Sequence, residues 1–124
     1  FDGKTFNLEN KKSKIYLLNF WATWCTPCRE EMPGLDKLQL IEGIEVFPIN
    51  LEKKNQSKTK QFFENLKIKN LSIYFDPELN LVKLFNLRGV PITVILNKDR
   101  KEIARILGEF DFSDKNFFEW LSNY

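Results

Sequence analysis

The run KIYLLNFW, residues 14–21, leaves the chain few folds to adopt. Apolar side chains fill it almost without interruption, whereas a strand with one face in water alternates apolar and polar positions. Such a run suits a strand covered on both faces, in a parallel or mixed sheet with helices packed against it. The rest of the chain supplies the helices. Cys28, Met32, Leu35 and Leu38 recur at spacings of four, three and three, which puts them on one helical face. IEVFPINL, residues 44–51, reads as a second buried strand, and residues 57–66 as a helix with Phe62, Phe63 and Leu66 turned inward. Asp76-Pro77-Glu78 reads as a helix start, with Asp76 as N-cap, Pro77 at the first helical position and an acid in the first turn. Leu79, Val82 and Phe85 then fall on the inner face of that helix.

ITVILN (92–97), NKDR (97–100) and KEIARIL (101–107) predict strand, turn and antiparallel strand, although the turn lacks the strong Asn-Gly signal. Ser113 and Asp114 cap a last helix carrying Phe117, Phe118, Leu121 and Tyr124. The order strand, helix, strand, helix, short helix, strand, strand, helix predicts an α/β fold, a central mixed β-sheet flanked by helices on both faces.

Length and charge narrow the function classes. At 124 residues the chain is read as a single domain, 1–124, long enough for its own core. Hydrophobic residues make up 43% and include twelve Phe, too apolar a composition for disorder. Nineteen basic residues against seventeen acidic ones give a balance of +2, without the concentrated basic footprint of a nucleic-acid binder. The densest basic run, EKKNQSKTK at 52–60, reads as a solvated loop and helix start, with binding to an anionic surface as the alternative. No apolar stretch approaches the ~20 residues of a membrane span, and no signal peptide is visible. The chain opens on Phe1 and not on Met, so it reads as a trimmed or processed segment.

Both cysteines, Cys25 and Cys28, sit in NFWATWCTPCREEMP (19–33), and the chain has no histidine. A structural zinc site needs four N or S ligands, and two thiols do not supply them, so no metal is assigned. Two soft thiolates could still hold Cu(I), which leaves a Cu(I)-delivery module as an alternative. A structural staple is disfavoured because the closed loop is short and short loops constrain the unfolded chain least. The position of the pair argues for redox chemistry. If the strand ends near Trp21 and a helix begins near Cys25, the Cys25 sulfur lies where unpaired N–H groups and the helix dipole favour a thiolate. A Cys-x-x-Cys thiol so placed has a lowered pKa, and the thiolate is the attacking species in disulfide exchange. Cys28, one turn further on, can close the ring and release a partner, and Pro27 is tolerated in the first turn.

The segment NFWATWCTPCREEMP resembles the active-site segment of the thioredoxin superfamily, and within it the TlpA/ResA-like extracytoplasmic thiol-disulfide oxidoreductases. Pro33 falls five residues after Cys28, where that superfamily carries a helix-kinking proline, and RGVPITVILNKDRKEIARILG (88–108) resembles its later half. The resemblance covers most of 14–122 and implies a thioredoxin-like fold and a protein-disulfide reductase working through a Cys25/Cys28 dithiol-disulfide cycle, with no cofactor. It implies that Pro91 is the family's cis-proline, although cis is the minority state of X–Pro bonds. The Val90 backbone would then pair with an extended substrate segment.

Cytosolic thioredoxins carry a buried Asp six residues before the first cysteine; Asn19 stands there, and an amide cannot take a proton. The TlpA/ResA-like branch carries a Glu three residues after the second cysteine, and Glu31 stands there. Residues three apart on a helix are neighbours, so Glu31 can reach the Cys28 region, and burial would raise its pKa usefully. Phe20 reads as core, Trp21 as packing beside the site, and Trp24 as an exposed lip of the docking surface, with Thr26 and Pro27 beside it. Thr26-Pro27 puts no charge between the cysteines, which points to a reductant rather than an oxidant. The resemblance implies protein substrates bearing cysteines or disulfides, in cytochrome c maturation or copper-site assembly. GVPIT stands where cytochrome-maturation proteins often carry GxPE, which favours a broader TlpA-like role. It also implies a membrane thiol reductant of the DsbD/CcdA kind, a periplasmic or otherwise extracytoplasmic location, and a membrane anchor preceding this chain. A monomer is expected. A non-catalytic adaptor of the same fold is a further alternative.

Overall fold

The computed structural model describes residues 14–53, 56–76 and 78–124. In chain order the elements are β1 (Ile15–Trp21), α1 (Thr26–Leu38), β2 (Ile44–Asn50), α2 (Gln56–Asn65), β3 (Tyr74–Phe75), α3 (Asn80–Phe85), β4 (Ile92–Asn97), β5 (Glu102–Leu107) and α4 (Lys115–Leu121). The five strands form one sheet in the order β3-β2-β1-β4-β5. β1 lies at its centre, parallel to β2 and antiparallel to β4; β2 pairs parallel with β3, and β4 antiparallel with β5. The sheet is therefore mixed, and every residue of β1 is buried, as its apolar run requires.

Alternation along β1 divides the interior in two. Ile15, Leu17 and Trp21 join a cluster with Met32 and Leu35 of α1, Phe62 and Phe63 of α2, and Phe117 and Leu121 of α4. Tyr16, Leu18 and Phe20 join the opposite cluster, covered by Leu81, Val82 and Phe85 of α3. Helices thus cover both faces. Trp21 is the centrepiece of the first cluster, with its ring 4.7 Å from Phe62 and 5.6 Å from Phe63. In α4, Phe117 and Leu121 are buried and Phe118 is partly exposed; Tyr124, expected on this helix, lies beyond its end and is partly exposed too.

Of two turns read from the sequence, the hairpin turn is found where expected and the start of the third helix is displaced. The 97–100 turn lacks Asn-Gly, yet the Asn97 side chain accepts from the backbone N–H of Asp99 and of Lys101 at 2.9 and 3.0 Å. That supports Arg100 in the left-handed region, at φ +64°. The helix expected from Asp76-Pro77-Glu78 begins later, at Asn80. Asp76 still acts as its cap. Its carboxylate reaches past Leu79 to accept from the N–H groups of Asn80, Leu81 and Val82 at 2.9, 2.9 and 3.2 Å. Leu79 takes the left-handed conformation, φ +59°, and is 38% exposed instead of lying on the inner face. The expected role of Pro77 lies outside the described residues, as do Lys54 and Asn55 of the lysine-rich run.

Candidate active site

β1 runs straight into the cysteines. Trp21 ends the strand, Thr23 and Trp24 turn the chain, and Cys25 is the N-cap of α1 with an extended backbone at φ −93°, ψ 107°. Its N–H donates to the Ala22 carbonyl at 3.2 Å. Cys25 and Cys28 are joined as a disulfide with Cα atoms 5.3 Å apart. The Cys25 sulfur accepts from the backbone N–H of Cys28 at 3.2 Å, the bond a side chain at this cap position makes with the first turn. On reduction, the same N–H and the helix N-terminus face a Cys25 thiolate and stabilise it. Cys28 is fully buried and Cys25 nearly so, while Thr26, Pro27 and Trp24 are exposed, Trp24 at 71%. Trp21, by contrast, is fully buried in the same cluster as the two cysteines.

Pro33 lies inside α1, five residues beyond Cys28. The Val90–Pro91 peptide is cis, and Val90 packs against the cluster that contains both cysteines. The Pro91 carbonyl accepts from the N–H of Gly108 at 2.9 Å, and Gly108 sits at φ +91°, a conformation that favours glycine. This bond ties the end of β5 to the loop carrying Val90. The backbone N–H and C=O groups of Val90 itself make no hydrogen bond among the described residues, so that edge is free to pair with an extended chain.

Glu31 is buried at 3% exposure, on the same helical face as Cys28. Both its oxygens are occupied: Asn19 Nδ2 donates to Oε1 at 2.7 Å, and the N–H of Phe110 donates to Oε2 at 3.1 Å. Asn19 Nδ2 also donates to Thr93 Oγ1 at 2.9 Å. Burial drives the Glu31 pKa from its ordinary 4.5 up to about 7; the bonds from Asn19 and Phe110 pull it down, and Glu109 adds a small upward push. The site thus holds a carboxylate that changes its protonation near neutral pH, one helical turn from Cys28. Asn19 fills the place of the thioredoxin acid by aiming another acid. It cannot take a proton, but it positions the group that can.

Two contributors left no mark in the motif. Glu52, beyond β2, accepts from the Thr23 backbone N–H at 2.6 Å and from its hydroxyl at 2.9 Å, holding the turn that leads into Trp24 and Cys25. Its pKa is lowered: burial opposes this, but hydrogen bonds from Thr23 and Asn50 and the nearby Lys58 charge outweigh it. Thr93, on β4, anchors the far side of Asn19. Their sequence separations of 29 and 74 residues place them beyond any local pattern. Among the described residues no group of three or more His, Cys, Asp or Glu side chains is arranged to hold a metal.

A thioredoxin-like sheet with a Cys-x-x-Cys pair at the N-cap of the helix after its central strand defines a thiol-redox class of protein. The chain belongs to the Redoxin family, whose model matches residues 1–118. It is 28% identical over 111 residues to a thiol-disulfide oxidoreductase ResA of Bacillus cereus, a match covering 87% of this chain and 63% of that protein. It is 33% identical over 100 residues to the thioredoxin-like protein YneN of Bacillus subtilis (strain 168), covering 77% and 58% respectively. The chain thus spans less than two thirds of the length of these relatives. Among solved structures, the exposed lipoprotein thioredoxin Etrx1 of Streptococcus pneumoniae strain TIGR4 superposes with a TM-score of 0.82 at 24% identity, over 99% of this chain and 94% of that one. A DsbF homologue from Corynebacterium diphtheriae gives 0.78 at 27% identity, over 94% and 76%.

Proposed function

We propose that residues 1–124 act as one thioredoxin-like domain that reduces disulfides of protein substrates. The observation that carries this reading is the Cys25–Cys28 disulfide at the N-cap of α1, one turn from a buried carboxylate whose pKa is about 7. In the reduced protein the Cys25 thiolate attacks one sulfur of a substrate disulfide. A Cys25–substrate bond forms, the substrate bond breaks, and the departing substrate sulfur takes up a proton. Cys28 gives its proton to Glu31, and its thiolate attacks the Cys25 sulfur. The second substrate sulfur leaves as a thiolate, two electrons have passed to the substrate, and the Cys25–Cys28 bond is restored. Asn19 and the Phe110 N–H hold Glu31 for that transfer. Trp24, Thr26 and Pro27 form the exposed lip, and the Val90 backbone beside cis-Pro91 pairs with the substrate segment.

The uncharged Thr26-Pro27 pair supports a reducing potential near the thioredoxin end of the scale. That role fits an extracytoplasmic monomer supplied with electrons by a membrane thiol reductant of the DsbD/CcdA kind, and an anchor preceding this chain. Among the described residues no helix is long and apolar enough to cross a membrane. Substrates in cytochrome c maturation or copper-site assembly fit the same chemistry.

The test is Cys28→Ser, which removes the resolving thiol. With an oxidised protein such as insulin, the variant is expected to accumulate a mixed disulfide at Cys25, detected by mass spectrometry. Wild type should release the reduced product, and Cys25→Ser should do neither. Failure of the Cys28→Ser variant to form a Cys25 adduct overturns the assignment of nucleophile and resolver.

A further inference from the structure

Beside the nucleophile, and sharing no lining residue with the cleft at Pro91, lies a second groove of about 350 Å³ between α1 and α2. Thr23, Trp24, Arg29, Lys58, Gln61, Phe62 and Asn65 line it. Its members adjoin Cys25 along the chain: Trp24 precedes it, and the Arg29 N–H donates to the Cys25 carbonyl at 3.2 Å. Its two charged members are both cations, and no acid lines it.

Arg29 is the distinctive one. Its guanidinium lies 4.8 Å from the centroid of the Phe62 ring. That ring is buried and packs at 4.7 Å against Trp21, so the platform is a fixed piece of the core. A guanidinium stacked on an aromatic face keeps its edge N–H donors free. Among the described residues Arg29 makes no side-chain hydrogen bond or ion pair, although Glu30 is its neighbour. The other cation, Lys58, is drawn to Glu52 at 3.4 Å, and Glu52 also holds the Thr23 turn. The groove thus presents a braced, unpaired fork of donors and an exposed indole wall, from residues within four positions of Cys25 in the chain. Planar forks of this kind match carboxylates.

We propose that this groove selects substrates by an acidic side chain close to the cysteine under attack, with Arg29 pairing its carboxylate and Trp24 covering it. The proposal rests on the disulfide-reductase reading and adds a substrate class to it. One substrate segment then makes two kinds of contact. Its backbone pairs at Val90, which reads no side chains, and its acid enters the groove, which reads one. Lys58, on the opposite wall from Arg29, adds a second positive charge to the groove.

The experiment uses peptides cyclised by a disulfide and differing in one residue, Asp, Asn or Lys, placed in turn at each of the three positions on either side of the cysteine. Reduced protein is mixed with each peptide, and the second-order rate constant of peptide reduction is measured by quenched chromatography. At one or more positions wild type is expected to reduce the Asp peptide about three- to fivefold faster than the Asn peptide, the range an exposed charge pair supports. Half-molar salt should bring that ratio close to one. Arg29→Gln should lower the ratio toward one, and Arg29→Glu should invert it in favour of Lys. These ratios are internal to each protein, so a general loss of activity in a variant does not imitate the effect. Equal rates for Asp and Asn at every position, with reduction proceeding, overturn the groove and leave the reductase reading standing. An acid preference that persists in Arg29→Glu overturns the assignment to Arg29. If wild type reduces no peptide at all, the reductase reading falls and the groove's role with it.

Discussion

Glu31→Gln isolates what the folded protein spends to keep a carboxylate buried near Cys28. The group ionises at about 7 in the fold and at 4.5 ordinarily. Because the folded-state value is the higher one, the native protein binds this proton more tightly than the unfolded chain does. Ionising Glu31 therefore costs stability. The cost is absent below the unfolded value, grows as pH rises from there, and is complete above about pH 7. A gap of this size amounts to about 3 kcal/mol at alkaline pH, of which about 2.5 kcal/mol develops between pH 5 and 8. Glutamine has the same shape and no charge to bury, and it can still accept from either Asn19 or Phe110. Urea unfolding of the oxidised wild type and Glu31→Gln at pH 5 and pH 8 measures the effect. Other titrating groups are common to both proteins and cancel in the difference. The variant is expected to gain about 2.5 kcal/mol on wild type between the two pH values, whatever its standing at pH 5. A relative change under about 1 kcal/mol refutes the reasoning, because it means the carboxyl is hydrated in the fold and ionises near its ordinary value.

Two further outcomes follow from named contacts. Asn19→Asp places a second carboxylate where the amide now sits, 2.7 Å from Glu31. Like charges that close do not both ionise, so the acid limb of the pH–rate profile for substrate release should move up by about one unit or more. A limb that stays put removes Glu31 from that step. Leu79→Asn relieves a leucine held at φ +59° on a partly exposed turn. It should raise stability by about 1 kcal/mol in urea unfolding, since left-handed backbone costs most L-residues that much and asparagine tolerates it; a lowered midpoint contradicts this.

What could be read from the sequence was what lies close together along it. The runs forming β1, β2, β4 and β5 and the inner faces of α1 and α4 are local patterns, and so is the placing of Cys25 at a helix start. The beginning of α3 is not local in this sense: Asp76 caps it from four residues upstream, across a left-handed Leu79 that no propensity favours. Asn19 was legible as a missing acid but not as the donor to Glu31, since that bond joins a strand to a helix only after the sheet and its cover have assembled. The Phe110 N–H, 79 residues from Glu31, and the hold of Glu52 on Thr23 are likewise products of tertiary folding.

Phe62 belongs to two environments at once. Its ring closes the packing around Trp21 and also forms the floor on which Arg29 rests. Such a shared wall divides the freedom of the sequence unevenly. The cation above the ring can be exchanged with little cost to the fold, so descendants of this protein can change the charge they present to a partner. The ring itself is held by the core behind it and will resist change. A surface built this way can alter what it prefers while keeping its shape.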